Sequence, residues 1–541
     1  MTRKEKTRLL VGNGWGSLFA GFDIPFSKGI VPGAAGETRG IKRLGIRPLV
    51  LADGPAGLRL KRGMRATAFP VGMSLACTHD TALVAAVGEA IADEARLYGI
   101  DVVLTPGMNL QTNPLCGRNY EYFSDNPVLT GHIAAAMVRG IQRRGVAACV
   151  KHFACNICET DRKHVNFTLD EQTLRRTYLK AFEIAINESN PWTLMSSYNL
   201  LNGTRTQEHP WLLTEVLRKE WNYSGVVLTD WTGVRHSALQ IAAGNDLLMP
   251  GMKRQRWQIR RALKKGYLTE EQIDSCVHRI LTLAGKTNRK ELCHTSALLH
   301  EDILSEQPEY VDSIFRAHAV LARKAATAGM VYLKNEIGEV ALDKACKRIA
   351  LYGATSYEML IGGTGSGHVN PLYVVNMNQA LRYAGYEVNN EIEQMYLRYL
   401  NSRGSHKKST FYLKKYLGTN GAKEKSIEKT LVDKQIENTD IAIITIGRQS
   451  GEGKDRTMTK GDYYLDDNES ALIRKVSDAY HAAGKRVIVV LNVCGPIETA
   501  SWKHMADAIL VAWLPGQEAG SAVCDALTHP QPELTQLASP F

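Results

Sequence analysis

From about residue 45 to 250 the chain repeats one theme: a short apolar run, then a stretch with apolar residues at every fourth position. The runs lie at 48–52, 101–105, 146–150, 192–196 and 225–229. Runs this short and this apolar suit strands covered on both faces of a parallel sheet. Between them, Leu83, Val87, Ile91 and Ala95 trace one helix face, and Leu174, Tyr178, Phe182 and Ile186 another. Thr168 with Glu171 predicts a capping box ahead of the second helix. Strand and helix in alternation predict a TIM-like (β/α) barrel, with an open doubly wound sheet as the competing arrangement.

A second alternation follows residue 325, with apolar runs at 348–352, 441–446, 487–491 and 509–512 and a helical stretch at 469–482. It predicts a smaller, doubly wound α/β domain. The expected organisation is a barrel at 1–285, a helical linker at 286–325 and an α/β-sandwich domain at 326–541. A chain of 541 residues can bury a core large enough to fold without metals or disulfides. The ten cysteines stand at irregular spacings, which is no disulfide framework. The basic start, Met1 to Leu10, runs into Val11-Gly12-Asn13-Gly14-Trp15-Gly16 rather than an apolar signal core, and no apolar run could span a bilayer. These features predict a soluble, reduced, cytoplasmic protein with no membrane partner.

The net charge is +11, but it is concentrated. Residues 401–435 hold nine Lys or Arg against three Asp or Glu, and the first eight residues hold four against one, leaving about +2 elsewhere. The first of these stretches reads as a basic insertion at about 401–437 on the surface. Cations without interleaved aromatics on a known module do not predict a nucleic-acid partner.

Barrel chemistry sits at the C-terminal ends of strands. The residues following the runs are Asp53, Lys151-His152, Tyr198-Asn199 and Asp230-Trp231. Singly, each has a structural explanation, since an Asp after a strand is often a helix cap. Together they describe a rim of hydrogen-bonding groups and aromatic faces suited to a polyhydroxylated ligand. In the second half, Gly451 and Gly453 flank Glu452 and let the backbone turn the carboxylate outward. The Gly-rich stretch 362–367 lacks the Lys-Ser/Thr ending of a phosphate loop. Cys155 and Cys158 form a C-x-x-C without the second ligand pair a zinc site needs.

Several segments jointly resemble glycoside hydrolase family 3, in its β-glucosidase branch. They are Asp53-Gly54-Pro55-Ala56-Gly57-Leu58-Arg59, Gly117-Arg118-Asn119-Tyr120-Glu121, and Lys151-His152-Phe153 with Glu159-Thr160-Asp161-Arg162. Met195-Ser196-Ser197-Tyr198-Asn199, Thr229-Asp230-Trp231, Gly365-Ser366-Gly367, Gly451-Glu452-Gly453 and Pro515-Gly516-Gln517-Glu518 continue the series in family order. The resemblance implies a TIM-like barrel followed by an α/β sandwich, and retaining hydrolysis of terminal β-D-glucosyl residues without metal or cofactor. It implies Asp230 as nucleophile and Glu452 as general acid/base. Asp53, Arg59, Arg118, Lys151, His152, Arg162, Met195, Tyr198 and Trp231 would bind the sugar, with Ser366 from the second domain.

Some positions depart from the family pattern. Ala56 stands where many members have His, and the end of the chain, from Thr528 to Phe541, resembles a shortened closing segment without a complete fibronectin-like third domain. Two alternatives follow: a β-xylosidase or α-L-arabinofuranosidase of the same fold, or an inactive sugar-binding remnant. The expected partner is a small carbohydrate, with self-association left open.

Overall fold

The computed structural model describes residues 1–16, 29–61, 63–233, 236–287, 308–338, 341–342, 345–404, 423–529 and 536–541. Residues 288–307 of the expected linker and 405–422 of the expected basic insertion therefore lie outside the described residues. The chain divides into two compact units. Met1–Ala66, Asp80–Thr112 and Glu121–Arg316 form the first; Thr67–His79, Asn113–Tyr120 and Ala317–Phe541 form the second.

The first unit holds β1 (Gly36–Glu37), β2 (Val50–Asp53), β3 (Val102–Leu104), β4 (Ala147–Phe153), β5 (Asn166–Phe167), β6 (Thr193–Ser196), β7 (Leu200–Leu201), β8 (Thr204–Arg205) and β9 (Val226–Thr229). Six form one sheet in the order β1-β2-β3-β4-β6-β9. All five apolar runs become strands of it, and every residue of β2, β3, β4, β6 and β9 is buried. These five pair in parallel, while β1 joins β2 antiparallel. The chain reaches β2 from β1 by a short return, and parallel pairing would need a crossover. Beyond β9, Leu228 bridges Leu247 and Leu248 side by side with Val11, both in parallel. The Asn13 N–H then donates to the Glu37 carbonyl of β1 at 2.8 Å. Strands β5, β7 and β8 make a separate three-stranded sheet.

Helices Thr81–Leu97 and Pro127–Arg143 follow β2 and β3, capped by Asp80 and Asn126, whose side chains accept from the first free backbone N–H groups. The expected capping box at Thr168 is not the cap used. Asp170 caps instead, accepting from the Thr173 N–H, because Asn166–Phe167 are still in β5. Strand residues of this sheet, including Leu51, Leu104, Cys149, Met195 and Leu228, join Leu9 to Val11 and helix residues Ile259, Ile273 and Ile280 in one apolar cluster.

The second unit carries β10 (Val331–Asn335), β11 (Arg348–Tyr352), β12 (Glu387–Val388), β13 (Ile441–Arg448), β14 (Val487–Val493) and β15 (Ala508–Val511). Their order is β10-β15-β14-β13-β11-β12, parallel except for the edge strand β10. The chain goes from β11 to β12 on one side, then returns to place β13 on the other. The order therefore reverses between β11 and β13, which is where open α/β sheets hold ligands. No described helix is long and apolar enough to cross a membrane. None of the nine described cysteines is in a disulfide, and no described cluster of three His, Cys, Asp or Glu could hold a metal ion.

Candidate active site

In the first unit the expected residues gather at the C-terminal ends of adjacent strands. Asp53 is the last residue of β2, and its Oδ2 is 3.3 Å from Arg59 Nη1. The turn between them is closed by the Arg59 N–H donating to the Asp53 carbonyl at 2.9 Å. Lys151 and His152 lie within the last three residues of β4 and are each 1% exposed. The Asn109 amide clamps the His152 backbone, accepting from its N–H and donating to its carbonyl, both at 2.9 Å. Lys151 Nζ is 3.9 Å from the buried Glu121 carboxylate.

Asp230 follows β9 directly. Its N–H donates to the Ser196 carbonyl of β6 at 3.1 Å, fixing the residue at the strand end. Its Oδ1 accepts from the Trp231 N–H at 2.7 Å, and its Oδ2 is 3.8 Å from His152 Nε2. The Trp231 indole N–H donates to the Ala35 carbonyl at 3.0 Å, which anchors the ring. A fixed amide dipole and an imidazole thus face the two oxygens of one carboxylate that is 6% exposed.

A hydrogen-bonded chain runs outward from His152 through Tyr122 and Asn156. The Tyr122 hydroxyl lies 3.1 Å from the Asn156 carbonyl, 3.0 Å from the Asn156 amide nitrogen and 3.4 Å from His152 Nδ1. The Asn156 amide also donates to Glu159 Oε1 at 3.2 Å, and Glu159 Oε2 accepts from Arg162 at 2.7 Å. The Arg162 guanidinium lies over the Tyr198 ring, 4.5 Å from its centre. Glu121, Tyr122, Asn156 and Glu159 carry no expected role from the sequence, yet they tie the expected residues together. The available signal was Glu159 three positions before Arg162.

Met195 is 2% exposed, pairs in register with Lys151 and Leu228, and belongs to the apolar cluster. Asp246 is structural. Fully buried behind β9, it accepts from the Val227 N–H and from Arg218 and pairs with Arg279. Cys155 is buried, which pushes its thiol pKa up, and Cys158 Sγ donates to the Thr160 carbonyl at 3.4 Å.

The second unit brings Arg118, Ser366 and Glu452 together. Glu452 lies four residues past β13, in the loop at the point of strand-order reversal. Residues Thr364 and Gly451 form a parallel bridge, and the Ser366 N–H donates to Glu452 Oε2 at 3.1 Å. Gly365 has φ +77°, and a Cβ there would come within 2.6 Å of Glu452 Cβ. The glycine-rich stretch backs a carboxylate rather than cradling a phosphate. Arg118 is 2% exposed and donates to Ser366 Oγ at 3.2 Å. Its neighbour Gly117 packs where a Cβ would meet the Lys454 carbonyl at 1.9 Å.

The sequence surrounds Glu452 with Arg448, Lys454 and Arg456. In the structure, Arg448 forms a bidentate pair with the buried Glu469 at 2.5 and 2.6 Å, and Arg456 pairs with Asp462 at 2.8 Å. Lys454 is exposed. The two arginines thus have carboxylates of their own.

Residues 34–283 match the Glycosyl hydrolase family 3 N terminal domain, and residues 330–531 match the Glycosyl hydrolase family 3 C-terminal domain. Thermostable beta-glucosidase B of Acetivibrio thermocellus is 34% identical over 91% of this chain and 61% of its own length. Exo-alpha-(1->6)-L-arabinopyranosidase of Bifidobacterium longum is 32% identical over 92% of this chain and 62% of its own length. The chain therefore spans about three fifths of these relatives. The structure of beta-glucosidase 3B from Thermotoga neapolitana in complex with glucose is similar with a TM-score of 0.88 at 39% identity, over 97% of this chain and 72% of that one. With both family models matched in order across most of its length, the chain belongs to glycoside hydrolase family 3.

Proposed function

We propose that the chain carries the catalytic machinery of a retaining β-glucosidase, releasing terminal non-reducing β-D-glucosyl residues from β-glucosides or oligosaccharides. The observation that carries this reading is Asp230: a carboxylate at a strand end, held through Oδ1 by a backbone N–H, with His152 at Oδ2. The glucose complex of the Thermotoga neapolitana protein supports the choice of sugar.

In this reading an Asp230 oxygen attacks the anomeric carbon as the bond to the leaving oxygen breaks, and Glu452 gives that oxygen its proton. Water then attacks the same carbon, Glu452 takes the water's proton, and Asp230 leaves. The reaction requires the two carboxyl groups about 5–5.5 Å apart. It needs only the two carboxyls and water, so no cofactor takes part. The Ser366 N–H that donates to Glu452 orients the acid for both steps. Asp53 and Arg59, Lys151 with Glu121, His152, and Arg162 over Tyr198 would bind hydroxyl groups, while Trp231 would cover the C–H face of the ring. Arg118 and Ser366 would add contacts from the second unit.

We also infer that the first sheet closes as the expected TIM-like barrel and that the second unit is the expected α/β sandwich. The bridges from β9 through Leu247, Leu248 and Val11, and from Asn13 to β1, support the first part.

The test is labelling with an activated 2-deoxy-2-fluoro-β-glucoside, followed by peptide mapping. Covalent glycosyl on Asp230 is the expected result; a label elsewhere, or hydrolysis with inversion, would overturn the reading. A second reading, an α-L-arabinopyranosidase, is favoured by the Bifidobacterium longum relative. Rates on aryl β-glucoside, α-L-arabinopyranoside, β-xyloside and α-L-arabinofuranoside separate the sugars.

A further inference from the structure

Helix Lys253–Lys264 and the Lys265 that follows it contain seven Lys or Arg and no Asp or Glu. The overall charge balance hides this stretch, because acidic residues elsewhere cancel it. The helix packs through Gln255, Ile259 and Ala262, all buried. At about 100° per residue, Arg256, Arg260, Lys253, Lys264, Arg261 and Arg254 follow one another around an arc of roughly 160° on the opposite side. Trp257 lies near the middle of that arc and is 52% exposed. No carboxylate among the described residues pairs with any of these cations.

Like charges one turn apart repel, so Arg256, Arg260 and Lys264 raise the energy of the isolated helix. The repulsion is felt beyond it. Arg39, which donates to the Gly12 and Asn13 carbonyls, has its pKa lowered by burial and by the charges of Arg256 and Arg8. A cationic field this dense is relieved when anions gather against it.

Large side chains reach solvent among the charges. Met252 at the start of the helix is 45% exposed, and Tyr267 just past its end is 71% exposed. Arg261 lies over the Trp257 ring and Lys265 over the Tyr267 ring, 5.0 and 5.9 Å from their centres. An aliphatic Met beside amphipathic aromatics and a row of cations matches a lipid headgroup boundary, where Trp and Tyr settle and Lys and Arg meet phosphate. A nucleic acid or an acidic polysaccharide would use the cations and rings but would gain nothing from the methionine.

We propose that the outer face of helix Lys253–Lys264, with Met252, Trp257 and Tyr267, is a docking surface for an anionic lipid bilayer. The expectation of no membrane partner concerned spanning segments, and adsorption to a surface needs none.

The test is co-sedimentation of the full chain with vesicles of phosphatidylcholine alone and of equal parts phosphatidylcholine and phosphatidylserine. Binding to the anionic vesicles alone, falling steeply as salt is raised, is the expected result. R256E/R260E/K264E should weaken it by at least about tenfold, and W257A should weaken it without changing the salt dependence. Hydrolysis of an aryl glycoside should be unchanged in both variants, and a circular-dichroism melt checks that they fold. Should the charge reversal fail to fold, R256Q and R260Q singly carry the same test with graded loss. Absence of binding to anionic vesicles, equal binding to neutral ones, or full binding by the charge variants would overturn the proposal. So would tighter binding to a DNA duplex or to heparin at the same salt.

Discussion

In the proposed reaction Glu452 gives up a proton in one step and recovers it in the next, and its surroundings bear on both. The Ser366 N–H stabilises its charged form, and Arg448 and Arg456 are taken up by Glu469 and Asp462. Removing the acid should matter in proportion to how badly the leaving group needs a proton. Glu452→Ala should lower kcat/KM on alkyl glucosides or disaccharides by about 10²–10⁴, while dinitrophenyl glucoside loses far less in glycosyl-enzyme formation. Equal loss on both substrates, measured by steady-state and burst kinetics, would refute the acid role. Glu159 makes a different case. Its side chain is fully buried and holds Arg162 at 2.7 Å, and Arg162 lies over Tyr198. Glu159→Gln keeps the shape but removes the charge that orients the guanidinium. We expect KM for the glucoside to rise about tenfold with a smaller change in kcat, as for a lost contact common to ground and transition states. A fall in kcat alone would show that Arg162 acts on the transition state instead. The strand-end positions of Asp53, Lys151, His152 and Asp230 were legible because each follows or closes a short apolar run. Glu121 and Glu159 were not: a buried acid looks like any surface acid until its partner is known.

Element by element, the strands of both sheets were legible and their borders were not. Strands covered on both faces, such as β14 with seven buried residues, leave a short continuous apolar run. Edge strands do not. β10 is half exposed and includes Lys334, and β1 and β12 have two residues each, so no pattern exposes them. The segment after residue 422 shows what else a pattern misses. Glu424 accepts from the Ala354 N–H at 2.9 Å and from the Tyr396 hydroxyl at 2.8 Å, in a pocket where Tyr396 stacks on Tyr357. It is 6% exposed, and burial raises its carboxyl pKa to about 7, against the lowering effect of these hydrogen bonds. The folded protein then holds this proton more tightly than the unfolded chain. The stabilisation is full below the unfolded value of 4.5 and is lost as pH rises through about 7. The loss amounts to at most ~3 kcal/mol. Wild type should therefore lose melting temperature between pH 5.5 and 8 relative to Glu424→Gln, which has no proton to lose; these pH values are roughly those bracketing the raised carboxyl. Parallel melting curves of the two proteins across that range would show that Glu424 stays ionised throughout.

Across the whole molecule, the two units were legible as two alternations of strand and helix, but not the interleaving of the chain between them. Residues 67–79 and 113–120 belong with the second unit although they fall within the first half. The reason lies in close backbone approaches that leave no trace in hydrophobic pattern. The Ala68 carbonyl accepts from the Gln517 N–H and Gln517 Oε1 accepts from the Ala68 N–H, while Leu115 accepts from the Arg456 N–H. Arg118 enters the second unit on one of these segments, which is how it reaches Ser366. An active enzyme and an inactive sugar-binding remnant share every one of these contacts, so the choice between them has to be made on the whole chain. Ligand that binds only the native state stabilises it in proportion to the logarithm of its concentration, by about 2.7 kcal/mol at a hundred times Kd. For units of this size, at about 2–4 °C per kcal/mol, that corresponds to a rise in melting temperature of about 5–11 °C. Glucose should produce this rise, and an aryl β-glucoside should be turned over by the same preparation. Asp53→Ala should abolish the rise, since Asp53 and Arg59 together supply a charged hydrogen-bonding pair at the strand ends. A rise with glucose and no turnover would identify the remnant. Turnover with no rise for glucose, but one for L-arabinose, would move the protein to the arabinopyranosidase reading.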